Sequence, residues 1–120
     1  MAPELHDGEF VFCVVPASSL NDRWARAVAV FREREGVTLI LSRGEAEALG
    51  LDSSFPSRMI TLSIQSSLSE VGLLAAITHV LAEHGISVNA FSAYHHDHLF
   101  VPVDRAQEAM ELLKALKWRP

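Results

Sequence analysis

Residues 58–86 constrain the fold most. In RMITLSIQ (58–65), Ile60, Leu62 and Ile64 recur at every second position, the mark of a strand with one buried face. The period then changes. Across SSLSEVGLLAAITHVLAEHGI (66–86), Val71, Leu74, Ile77 and Leu81 recur at helical spacing, and Leu73 and Val80 widen the stripe. Ser67 and Glu70 form a capping box that would start the helix, and Gly85 supplies the left-handed residue that ends it. A strand that feeds directly into an amphipathic helix requires a sheet for that helix to cover.

The rest of the chain supplies the sheet. SVNAFSAY (87–94) and HLFVPV (98–103) read as strands joined by a hairpin turn, followed by the cap pattern Asp104–Gln107 and a helix with Ala109, Met110, Leu113 and Leu116 on one face. The first half runs in the same order. EFVFCVV, ARAVAVFRE and VTLIL are strands, and Ser42–Glu45 is a capping box before a short helix that ends at Gly50. PASSLNDRW is too short and polar for a full first helix. LDSSFPS, with Pro56, reads as a linker. FVFCVVPASSL and MITLSIQSSL each place Ser-Ser-Leu after a strand, so the order β-α-β-β-α occurs twice. The expected division is residues 1–51, a linker 52–57, and residues 58–120.

This order predicts an α+β split-βαβ arrangement, with helices on one face of an antiparallel sheet. Neither half shows the fourth strand that would close it. The open edge should lie beside the first strand of each half. It would be covered by joining the halves edge to edge, by exchanging a strand, or by pairing with a second chain in a homo-oligomer.

Charge and composition exclude several functions. The net charge is −5 and no Lys/Arg run is present, which argues against a nucleic-acid groove. No apolar stretch approaches the roughly 20 residues of a membrane helix. MAPELHDGEF is acidic and short of apolar residues, unlike a signal peptide. The lone Cys13 lies in an apolar strand and cannot form an internal disulfide, which suits a reduced, cytoplasmic protein.

His95-His96-Asp97-His98 is the densest polar cluster. Zinc requires three or four converging ligands. Along an extended strand, His96 and His98 share a face while Asp97 opposes them, so the set falls short of a metal site. No nucleophile turn of the Gly-x-Ser-x-Gly kind is present, so catalysis is not expected. The remaining reading is a polar hairpin tip at a ligand cleft or an interface.

GLLAAITHVLAEHGISV resembles the helix-and-strand core of the ACT domain, the small ligand-binding module of amino-acid metabolism. Gly72-Leu73-Leu74 and Gly85-Ile86 fit that pattern; Ser69 stands where an aspartate is common, and Val71 where a proline is common. The chain from Gly8 onward resembles small bacterial tandem-ACT proteins, carried by GEFVFCVV, AVFREREGVTLIL, SSLSEVGLLAAITHVLAEHGIS and AYHHDHLFVP. The resemblance implies a ferredoxin-like fold and a non-catalytic regulatory role without a cofactor. It also implies a small ligand, usually an amino acid, held where two units meet.

The corresponding site would use the start of the long helix, where free amides attract a carboxylate. Its residues would be Gln65, Ser66, Ser67, Leu68, Ser69, Val71 and Gly72. Asn89 and Asp97 are the candidates to face an ammonium group, and His95, His96 and His98 would complete the hairpin side. Two other readings stay open: an interaction module without a ligand, and a divalent-metal protein using the histidines.

Overall fold

The computed structural model describes residues 2–19, 22–64 and 67–118, apart from the side chains of Asp22 and Arg23. The strands are β1 (Pro3–Leu5), β2 (Phe10–Val15), β3 (Ala29–Arg32), β4 (Val37–Ser42), β5 (Ser54–Leu62), β6 (Asn89–Ser92) and β7 (Asp97–Pro102). The helices are α1 (Arg43–Ala48), α2 (Leu73–Glu83) and α3 (Ala106–Ala115). The chain forms two compact units: residues 8–57, and residues 1–7 with 58–120.

In the 8–57 unit the strand order is β5-β2-β4-β3. β2 pairs antiparallel with both β4 and the start of β5, and β4 pairs antiparallel with β3. Alternation sorts the two faces. Val11, Cys13, Val15, Val37, Leu39 and Leu41 are buried together against Ala46 of α1, with Trp24, Leu49 and Leu51 packed around them. Burial raises the pKa of the Cys13 thiol, which disfavours the reactive thiolate. Ser42 caps α1, its Oγ accepting from the Glu45 N–H at 3.2 Å, while the Glu45 carboxylate pairs with Arg26 instead of completing the box. As expected of PASSLNDRW, the described residues after β2 form two 3-10 turns, Ala17–Ser19 and Asp22–Arg26, and no full helix.

The other unit has the order β1-β5-β7-β6. Ile60 and Leu62 of β5 and Leu99 and Val101 of β7 face Leu73, Ile77 and Leu81 of α2 and Ala106, Ala109, Met110 and Leu113 of α3. Both helices therefore cover one face. Each fully buried leucine or isoleucine in this set contributes about 1.5–3 kcal/mol. Arg105 ties the helices together: its Nη2 donates to the His84 carbonyl at 2.8 Å, just past the end of α2. It also pairs with Glu108 at 2.8 Å on α3. A guanidinium at a helix C-terminus complements the dipole there.

Three local expectations need correction. The strand read as 58–65 begins at Ser54, inside the stretch read as a linker, and ends at Leu62. Phe55 has φ 56°, and the β2–β5 register shifts nearby, between Phe10↔Ser57 and Phe12↔Ser54. This irregularity lets Pro56 sit within a strand. The long helix begins at Leu73 rather than Ser67, and Val71 is 85% exposed instead of core. Ser67 makes no helix cap; its carbonyl accepts from the Glu70 N–H at 3.0 Å in a turn. The cause lies at Gly72, whose φ of 95° is closed to ordinary residues and resets the chain direction. Nor does Asp104 cap α3, which follows a 3-10 turn over Val103–Arg105 without a side-chain cap.

The missing fourth strands are present beside the first strand of each unit. Residues 54–57 supply one alongside β2. β1 supplies the other from the N-terminus, pairing Pro3↔Leu62, Glu4↔Thr61 and Leu5↔Ile60. Leu5 packs onto the core of that unit.

Candidate functional site

A cavity of about 160 Å³ lies beside the start of α2. Ser67, Leu68 and Glu70 line it from the approach to the helix, and Leu73 and Leu74 from its first turn. Ser92, Ala93, His96 and Asp97 line it from the hairpin between β6 and β7. The hairpin turn is closed by the Ala93 N–H donating to the His96 carbonyl at 3.0 Å. Ser92 and Asp97 are direct cross-strand partners, so both side chains point to the same face. Leu68 is 71% exposed, which leaves the cavity open to solvent.

The first turn of a helix has no intrahelical partners for its N–H groups and carries partial positive charge. Here that turn is Leu73–Ala75, and two carboxylates, Glu70 and Asp97, line the same space. Gly72 backs the site. A side chain there would meet Cη2 of Trp118 at 3.0 Å. Trp118 packs on the core of this unit, so the indole presses on the residue that opens the helix.

Of the residues anticipated from sequence, Ser67, Leu68, His96 and Asp97 are brought together here. Gln65 and Ser66 lie outside the described residues. Ser69, Val71, Gly72, Asn89, His95 and His98 do not line the cavity. Asn89 stands opposite Phe100, at the far end of β6 from the hairpin. His95 is exposed, its ring 5.0 Å from that of Tyr94. Glu70 was read only as a cap partner, although an acidic residue just before Gly-Leu-Leu was the available signal for it.

His98 points to the other face of the sheet. Its Nδ1 is 2.9 Å from Thr61 Oγ1, which is in turn 2.7 Å from Nε2 of His6. Burial lowers the His98 pKa, and positive charge on His96 and His6 lowers it further, against an opposing pull from Asp97. The His96 and His98 ring centres are 6.4 Å apart. Among the described residues, no three His, Cys, Asp or Glu side chains are arranged to hold a metal ion. No helix among them is long and apolar enough to cross a membrane.

Comparison with known proteins bears on the fold and the family. No curated protein matches the chain in sequence. A Vibrio cholerae protein of unknown function, described as a possible transport protein, is 47% identical with a TM-score of 0.86, over 92% of this chain and 85% of that one. An Agrobacterium tumefaciens protein is 17% identical with a TM-score of 0.79, over 93% and 85%. The ligand-free regulatory subunit of aspartate kinase from Thermus thermophilus is 8% identical with a TM-score of 0.66, over 97% of both chains. At such low identity the last two show the fold alone. Two ACT-domain family models match in succession, over residues 1–58 and 54–115. The chain therefore belongs to the ACT-domain family, as a tandem of two ACT units with the ferredoxin-like fold.

Proposed function

We propose that the protein is a non-catalytic regulatory sensor that binds an amino acid in the cavity beside α2. The observation that carries this reading is the pairing of opposite polarities in one small space. The amides opening α2 suit a carboxylate, and the carboxylates of Glu70 and Asp97 suit an ammonium group. Leu68 and Leu74 offer apolar contact for a side chain. Size agrees: a cavity of about 150 Å³ holds a benzene ring, and this one measures about 160 Å³. The fold shared with an aspartate kinase regulatory subunit supports the regulatory part. In the manner of the family, a second ACT unit from another copy of the chain would close the open side at Leu68.

Thermal-shift measurements against the twenty amino acids test the proposal. A ligand present at 100 times its dissociation constant adds about 2.7 kcal/mol. For a chain of this size that raises Tm by on the order of 10 °C. If none shifts Tm while the protein forms a tight oligomer, a ligand-free interaction module replaces the sensor. The exposed Leu68, Val71 and Tyr94 would be its contact residues.

A further inference from the structure

We infer that the 8–57 unit carries a second binding cavity, suited to a small organic cation. The cavity measures about 270 Å³ and lies where two 3-10 turns stand in place of a first helix. The lining favours positive charge. Val15, Leu39 and Leu51 provide an apolar wall, Trp24 an aromatic ring, Ser19 a hydroxyl and Asp52 a carboxylate. No described lysine, arginine or histidine lines it. An indole ring and a carboxylate are two independent attractions for an ammonium group. The cavity also lies just past the C-terminal end of α1, at Gly50 and Leu51. That end of a helix favours positive charge, on a small scale for a helix of 6 residues. The volume lies between that of a benzene-sized void and the roughly 300 Å³ at which drug-sized pockets begin, so the ligand is an amine or quaternary ammonium of a few carbons.

The test uses the full chain, labelled with nitrogen-15, and follows backbone and indole signals by NMR. Choline is the probe, and 3,3-dimethylbutan-1-ol is its uncharged isostere. Choline should give saturable shifts confined to the Trp24 indole and to the backbone near residues 14–16 and 50–52. It should bind at least about tenfold more tightly than the alcohol, a factor that one cation–π contact with a desolvated ammonium supplies. Asp52→Asn should weaken choline about tenfold and leave the alcohol unchanged. Asp52 is exposed, so the substitution leaves the fold intact, and an unchanged spectrum away from the cavity confirms it. Equal binding of the two probes overturns the inference. So do shifts that map to residues 67–74 and 92–97, or no saturation by about 20 mM. Equal binding of the two probes, or no saturation, leaves the amino-acid proposal untouched, because that proposal concerns the other cavity.

Discussion

At the scale of single residues, Gly72 and His98 matter most. Gly72 combines a left-handed φ of 95° with a wall 3.0 Å from its missing Cβ. Gly72→Ala should lower stability by about 1–3 kcal/mol, measurable by urea denaturation. An unchanged midpoint would contradict the packing of Trp118 described above. His98 links stability to pH. Its folded pKa is lowered, so the neutral form is the one the fold favours. The contribution is fully present above the unfolded value of about 6.5 and is lost as pH falls from there through the folded pKa. Denaturation midpoints for the native protein should fall over that window, and the fall should be smaller for His98→Gln. Identical profiles would contradict this. The sequence pointed to both residues for partial reasons. Gly72 counts among the site residues anticipated from sequence, but its neighbour is the Trp118 indole, 46 positions along the chain. His98 was grouped with its neighbours, and its actual partner, Thr61, stands 37 positions away. Ser42 and Ser67 show the same limit. Both start a Ser-x-x-Glu pattern, yet only Ser42 caps a helix.

At the scale of elements, periodicity located β2 and α3, which bury alternate or helically spaced residues, and a short apolar run located β4 and β7, where three consecutive residues are buried. Periodicity failed for the two closing strands. β1 has 3 residues, too few to show a period, and its partner β5 lies more than fifty positions away. The first part of β5 hides its alternation behind Phe55 and Pro56, where the ladder slips. β1 covers the edge of β5 and packs the half-buried Leu5 against the core. Deleting residues 2–7 should therefore destabilise the 58–120 portion. Hydrogen exchange at the amides of Ile60, Thr61 and Leu62 should speed up at least tenfold, the equivalent of about 1.4 kcal/mol. Equal protection with and without the segment would show that β1 is dispensable.

At the scale of the whole molecule, the duplication was legible in the repeated order of elements, and the family models follow it along the chain. The N-terminal residues could not be assigned from sequence, because residues 1–7 fold with a unit that begins at Arg58. The candidate cavity was half legible for a similar reason. Its hairpin and helix are neighbours in sequence pattern, but the helix start depends on Trp118, and Glu70 is placed by a turn rather than a cap. The proposed sensor holds an amino acid against the opening amides of α2, with the carboxylates of Glu70, before the helix, and Asp97, on the hairpin, facing its ammonium group. A nitrogen-15 NMR titration of the full chain, with the amino acid that gives the largest thermal shift, tests it most directly. Saturable shifts concentrated at residues 67–74 and 92–97, abolished by Asp97→Asn together with Glu70→Gln, are the predicted result. Saturable shifts elsewhere, or shifts that survive the double substitution unchanged, would contradict it.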